Sequence, residues 1–575
     1  MLVSGGTNTE VSSLALAVVA SGPFEALFWQ EKKPIVPAIA VRTKAFTLIL
    51  GADLNDCFMY KVLMFLLFVL LEPNHAITQI LPKEGAVLNY RLVGFSFPAN
   101  VRAKGYRVEI ATGDHSSNDS FEKNIVKFID SKDTVIIGEV PSFGQQYCWR
   151  IVLFLNKNNT RLTKGKIHHF STGIAAGVDT NKTCLRVTDM AQAYKDAYIF
   201  TDGNRALYDM NGRPVWYLPN IDGLVEREGA DVRDLKLTPQ GTITFLLNDK
   251  RAYEINYEGD VLWKGPRNDL QNPDFHYHHE LTRMKNGHYM VLATDPVLLR
   301  HNLTSHPDSG FLIVTDTTAT RESAKFVYQT LPFSSILEYD VEGNLLWSWS
   351  TAKYLANSDV YYREPPTRKN KYDVHPNSFY FNGKDSVVYL SIRDISRVIK
   401  IKYPSGDVLG EYGDQFGPGK PTLSDSLFYG QHSISCAADG DLYLYNNGDN
   451  RGKPTAATIE KLHQPDGQTG LLTKAWEYNC TVEDPASLKH KMYGFTVGGN
   501  VEELSDGSLF VSMSAECSKL FIVGVDKKIR FSALPEKWDN FSKKWMMAPQ
   551  YRASMITSRR DMERLVWYKH DQALK

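Results

Sequence analysis

The chain has no excess of either charge: 65 lysines and arginines balance 65 aspartates and glutamates. A protein that grips nucleic acid carries a basic footprint, so nothing here points to that partner class. Cysteine is scarce, with six in 575 residues, and no two of them form a CxxC pair. That excludes a disulfide scaffold and a cysteine-held zinc ribbon, and leaves room for a few structural disulfides in an oxidising compartment. Long apolar runs are missing too, with one exception at Val62–Leu71. This run follows Lys61 and leads through a short polar stretch to Ala76. Its size and order are those of a secretory signal peptide, too short for a comfortable membrane span. Residues 59–76 therefore read as a signal peptide, with a short signal anchor as the alternative. Met59 then reads as the true start, and residues 1–58 as an upstream extension. Six Asn-x-Ser/Thr sequons follow, at Asn118, Asn158, Asn181, Asn302, Asn479 and Asn540. Together these features predict a secreted or lumenal protein without a stable membrane span.

What is present is a folded composition, 43% apolar and 12% aromatic. From residue 77 to 173 the pattern is short alternating strands between polar turns, as in LNYRLVGFSFP, GYRVEIATG and QYCWRIVLFL. The spacing predicts a small antiparallel β-sandwich. It holds no chemical constellation, so its roles default to packing, homodimer formation or substrate access.

Beyond residue 173 two repeats interleave. One is a histidine, seven residues, then a turn glycine: His279 to Gly287, His375 to Gly383 and His432 to Gly440. The other is an Asp/Asn-x-x-Gly turn with tryptophan four residues on, in DMNGRPVWY, NYEGDVLW and DVEGNLLW. Hairpin glycines at 241, 287, 383, 440 and 507 are each followed by an outer turn near 259, 343, 406, 467 and 526. The turn at Gly212 ends a first unit, and the YRAS segment near the C-terminus is placed to close it. Six four-stranded units over residues 174–575 predict an all-β fold, a six-bladed β-propeller preceded by the sandwich. Two stretches break the spacing, roughly 295–333 and 355–371, and read as loops over one mouth of the ring.

Equivalent positions in a ring of blades face one another, so His279, His375 and His432 converge on the axis. The other two units carry Arg233 and Gly499 there. Counting across the hairpin at Gly383 sets Arg393 beside His375, and Asn377 shares the face of His375. Alternation sends His278 to the opposite face from His279. Imidazoles with a guanidinium and an amide form a site for an oxyanion such as a sulfuryl or phosphoryl group. Three imidazoles also suit zinc, although Arg393 disfavours a cation and no carboxylate holds the same repeat position. Three classes therefore stay open: a group transferase, a metal-dependent propeller hydrolase such as a lactonase or esterase, and a non-catalytic secreted propeller that binds ligands.

The stretches YHHELTRMKNGHYMVL, DVHPNSFYFNGKDSVVYLSIRDISRVIKI and FYGQHSISCAADGDLYLYNNGDNRG resemble the bacterial aryl-sulfate sulfotransferases. So do the outer turns and the late YRAS, and the likeness runs from about Pro82 to near the C-terminus. The resemblance implies transfer of a sulfuryl group from a phenolic sulfate ester to a phenol, without the nucleotide donor and with no cofactor or metal. It implies His432 as nucleophile, through a sulfohistidine, with His279, His375, Asn377 and Arg393 binding the sulfuryl group. Its partners would be a small phenolic sulfate donor and a phenol acceptor. The chain departs from the family at Asp373-Val374-His375, where an aromatic is missing. It departs again at Ser433, in place of an acidic residue, and at Tyr445-Asn446-Asn447-Gly448.

Overall fold

Runs such as ITFLL, VVYLSI and LYLYN, rich in β-branched and aromatic residues, form strands buried along their whole length. Strands covered on both faces belong to sheets stacked against one another. The computed structural model describes residues 79–568 except 157, 159, 174–181, 222–231, 248–250, 267–275, 303–311, 314–325, 357–374, 414–426, 449–454, 466–470, 481–482, 484–497 and 514–516. The two signal readings of residues 59–76 lie outside the described residues.

Six sheets carry a four-stranded antiparallel meander each. Every sheet packs on the next in sequence, and the last packs on the first, which makes the all-β ring of a propeller. Their innermost strands are Val232–Leu237, His276–Arg283, Pro376–Asn382, His432–Cys436 and Asn500–Glu503, with Ala553–Ile556 completing the first sheet. That last strand pairs antiparallel with Tyr198–Thr201, so the C-terminal segment closes the ring and leaves no open edge there.

The tryptophan repeat has a mechanical explanation. Trp216, on the outer strand of the first sheet, donates to the Tyr257 carbonyl in the outer turn of the second at 2.8 Å. Trp347 of the third sheet reaches Pro404 of the fourth at 2.7 Å, and Trp476 of the fifth reaches Val525 of the sixth at 3.0 Å. Each indole clamps its sheet to the next. The turns themselves need a left-handed residue, supplied by Gly212, Gly259, Gly343 and Gly406. Where the sixth sheet lacks the glycine, Lys527 takes that conformation at φ 62°.

Residues 86–172 form the sandwich. A sheet ordered Ala86–Leu88, His168–Thr172, Gln146–Phe154, Gly105–Thr112, Ile125–Ser131 faces the pair Leu92–Ser96 and Val135–Glu139. Its core, with Phe95 on Trp149 at 5.0 Å, runs without a break into the first two ring sheets and the C-terminal helix Arg559–Val566. Of the stretch read as a loop from 295 to 333, the described residues 295–302, 312–313 and 326–333 are strand instead. Tyr289–Asn302 and Phe326–Tyr339 pair along their full length, so two strands of the third sheet run on as a β-arm past His276, which pairs with Thr294. The second excursion, at 355–371, lies almost wholly outside the described residues.

Candidate active site

Four of the inner strands carry a register shift near the start: between Arg233 and Lys236, Tyr277 and Leu281, Pro376 and Ser378, and His432 and Ser435. Beside these shifts sit left-handed residues, Asp234 (φ 56°), His279 (63°), His375 (55°) and Ser433 (55°). Such backbone costs of order 1 kcal/mol or more in a non-glycine residue and gathers where function over-determines it. A bulge also re-aims the side chains that follow. That is why alternation fails here: His278 and His279 lie together, ring centroids 4.8 Å apart and Nδ1 to Nδ1 2.7 Å, not on opposite faces.

The hairpin count that placed Arg393 beside His375 matches the register, since the Arg393 N–H donates to the His375 carbonyl at 3.1 Å. His375 meets His279 edge to face at 4.9 Å. Asn377 is fully buried in the bulge and donates through Nδ2 to the Gln431 carbonyl at 2.7 Å. Gln431 is itself pinned to the neighbouring sheet through Ser391, Ile392 and Arg397. The residue next to His432 is thereby fixed by its own side chain and by Asn377.

His432 is buried, and both ring nitrogens are committed. Asn447 donates through Nδ2 to the Gly498 carbonyl at 3.1 Å, so its Oδ1 is the atom that meets His432 Nδ1 at 2.7 Å. The N–H of Gly498 donates to His432 Nε2 at 3.2 Å. Both bonds require the same tautomer, with the proton on Nδ1 and a lone pair on Nε2. Burial first, then the charge of Arg393, hold the His432 pKa well below the usual imidazole range. The ring is therefore neutral at physiological pH. His279 is pushed down likewise, by burial and then by His278, His375 and Arg233.

Tyr551 and Arg552, just before the ring-closing strand, complete the centre. Tyr551 stands 5.7 Å from His279 and 6.3 Å from His432 by ring centroids, with Arg233 stacked over it at 4.7 Å. Its hydroxyl is buried without a hydrogen-bond partner among the described residues. Gly498 has to be glycine beside it, because a Cβ there would lie 2.6 Å from the Tyr551 carbonyl oxygen. Arg552 forms the floor, bonded to Asp234 at 3.0 Å, Glu280 at 2.5 Å and the Asn377 carbonyl at 2.8 Å. With Lys236 on the same two carboxylates, that layer is charge-balanced. Arg233, stacked on Tyr551, and Arg393, with Asp394 3.8 Å away, bring guanidinium groups to the imidazoles around His432, a setting for an anion. The sequence signal for Tyr551 and Arg552 is their place ahead of the closing strand. Asn447 lies in the Asn-Gly-Asp stretch of the resemblance, which by itself gives it no role.

A cavity of about 130 Å³ opens beside the cluster, lined by Arg233, His276, His278, His279, Ser334 and His375 among others. His432, 1% exposed, and Arg393, 4% exposed, lie off its wall. Among the described residues no three His, Cys, Asp or Glu side chains are placed to hold a metal ion. No described helix is long and apolar enough to cross a membrane.

The arylsulfotransferase (ASST) family model matches residues 185–519, more than half of the chain. The chain belongs to the arylsulfotransferase family. That membership makes it a sulfotransferase in class, with small-molecule substrates. No curated protein matches it. Among solved structures, a Bacteroides caccae protein of unknown function is 12% identical and aligns over 63% of this chain and 98% of its own, with a TM-score of 0.35. A luciferin-regenerating enzyme is 8% identical over 64% and 96%, TM-score 0.32. The β-propeller domain of Cps50 (Swd1) from Myceliophteria thermophila is 7% identical over 64% and 87%, TM-score 0.27.

Proposed function

We propose that this chain moves a sulfuryl group from an aryl sulfate to a phenol, with His432 carrying the group in between. The observation that supports this most directly is the doubly fixed tautomer of His432. An imidazole held neutral, with its Nδ1 proton on Asn447 and its Nε2 lone pair held by the Gly498 N–H at 3.2 Å, is prepared as a nucleophile once that N–H is displaced. In the first half-reaction Nε2 bonds to sulfur while the S–O bond to the aryl group breaks and its electrons leave with the phenolate. In the second, the acceptor oxygen bonds to sulfur and the N–S electrons return to Nε2. Arg393, His279, His375 and Asn377 hold the sulfuryl oxygens as charge redistributes, by analogy with phosphoryl transfer. The Gly498 N–H, displaced from Nε2 by sulfur, becomes one more donor to those oxygens.

The six sheets are read as six blades spanning 174–575, with the sandwich at 77–173. A secreted or lumenal location is supported by the sequons, of which Asn118, Asn158, Asn479 and Asn540 are exposed.

The test is p-nitrophenyl sulfate with and without a phenol acceptor. Nitrophenol released only when acceptor is present supports transfer, release without it indicates a sulfatase, and no release sinks the proposal. His432→Ala is expected to abolish transfer while the chain still folds and unfolds cooperatively. Full activity in that variant would remove the nucleophile assignment.

A further inference from the structure

His278 lines the cavity, yet neither the repeat position nor the family resemblance gives it a role. Its two ring nitrogens have defined neighbours. Nδ1 lies 2.7 Å from His279 Nδ1, and Nε2 lies 3.2 Å from the hydroxyl of Ser334. Two imidazole nitrogens at that separation share one proton, since two lone pairs or two N–H groups would repel. Ser334 can donate or accept, so it serves His278 in either tautomer. With its Nδ1 committed to His278, His279 has only Nε2 left to meet a substrate.

We propose that His278 is a positioning residue that pairs with His279 as a two-imidazole acid–base unit for the phenolic proton; this rests on the sulfuryl-transfer reading. When protonated, the pair holds three protons, on His279 Nε2, between the two Nδ1 atoms, and on His278 Nε2. As the S–O bond of the donor breaks, the Nε2 proton of His279 moves to the phenolate oxygen. The neutral pair then has His279 Nδ1–H facing His278 Nδ1, and His278 Nε2–H facing Ser334. When the acceptor oxygen bonds to sulfur and the bond to His432 breaks, the acceptor's O–H proton moves to the bare Nε2 of His279. The pair is protonated again and the cycle closes, the first proton coming from water. Without His278 the charge would sit on one ring already facing Arg233, His375, Tyr551 and His432. His276, 5.9 Å from His278 by ring centroids, is the other titratable group facing the pair.

The experiment compares p-nitrophenyl sulfate and phenyl sulfate as donors, with one phenol acceptor, in the full chain and its His278→Gln variant. Nitrophenolate leaves readily as an anion, whereas phenolate needs the proton. Loss of the relay is expected to widen the rate ratio between the two donors by about tenfold or more, and to shift the pH profile for the poorer donor. Equal losses on both donors, or an unchanged ratio, would overturn the relay and leave His278 a packing residue. Ser334→Ala carries the same ratio test with a smaller widening, and decides the matter should His278→Gln not fold. A native chain that transfers from neither donor would sink the sulfuryl-transfer reading and the relay with it. Transfer with an unaltered ratio would sink the relay alone.

Discussion

The outer and inner rims of the ring use repetition differently. On the outer rim one residue type makes the same bond at three of the joints, with Trp216, Trp347 and Trp476 all donating to the outer turn of the following sheet, while Trp263 at the second joint stacks on Tyr289 instead. On the inner rim one position recurs with different chemistry, arginine in the second sheet, histidine in the third, fourth and fifth, glycine in the sixth. A clamp between two sheets can be reused unchanged at several joints. A single site built from several sheets draws histidine from three of them and other groups from the rest. Constancy thus marks stability and divergence marks chemistry, and the two rims separate under substitution.

The largest effect is expected at the outer rim, on stability. Trp216 is fully buried, edge-on to Phe200 at 5.7 Å and stacked near Tyr257. Trp216→Ala is expected to cost about 3–5 kcal/mol through the cavity it leaves, read by denaturant or thermal unfolding. The protein that stays folded should retain its transfer rate. Trp347→Phe keeps the ring and removes only the bond to Pro404, for about 1 kcal/mol. A drop in the rate of folded Trp216→Ala protein would break the separation of the rims.

At the inner rim the order reverses. Asn447→Ala removes the acceptor for His432 Nδ1–H and the anchor to Gly498, leaving His432 free to take the other tautomer. Transfer per folded molecule is expected to fall by roughly ten- to a hundredfold, corresponding to about 1.4–3 kcal/mol, alongside a lowered unfolding midpoint from the buried groups left unpaired. Asn447→Asp adds a second readout. A carboxylate at Nδ1 would raise the depressed His432 pKa, so activity should fail at a higher pH on the acid side than in the native chain. An unshifted acid limb would mean that His432 is not the group whose protonation stops the reaction.

How much of this was legible in the sequence follows the same division. The turn glycines and tryptophans of the outer rim obey local rules, so spacing alone laid out the six sheets and the closing role of the YRAS segment. The register opposing Arg393 to His375 was legible too, because it depends only on counting across one turn. Alternation failed at His278, since a bulge with His279 left-handed reverses the face and no periodicity announces a bulge. The β-arm from 289 to 339 was hidden for another reason: an extension of two existing strands reads as irregular spacing. Tyr551 and Arg552 were legible only as the start of the ring-closing YRAS segment; they lie outside the histidine repeat that marked the other site residues, and only ring closure brings them to His432.

The smallest effect tests that ring-closing contact through pH. Asp202, buried in the first sheet, accepts the backbone N–H groups of Tyr551 at 3.0 Å and Arg552 at 2.9 Å. Burial is the largest influence and raises its pKa to about 7, against those two bonds and the charges of Arg233 and Arg552. A carboxyl whose folded pKa lies above its unfolded value of 3.8 binds more protons in the folded state. Its contribution is fully present below that unfolded value and is lost as pH rises through about 7. His432 and His279, held low, act in the opposite sense below about pH 6.5, so the raw stability curve mixes the two. The variant difference isolates the carboxyl. Asp202→Asn cannot ionise, so its unfolding midpoint relative to the native chain should rise from about pH 4 to about pH 7 and level off above. A difference that stays flat across that window would mean that the carboxyl holding Tyr551 is already charged at its acid end in the folded ring. Arg233 and Arg552 would then face one more buried anion, and less of the Arg233 charge would be left for a substrate oxyanion.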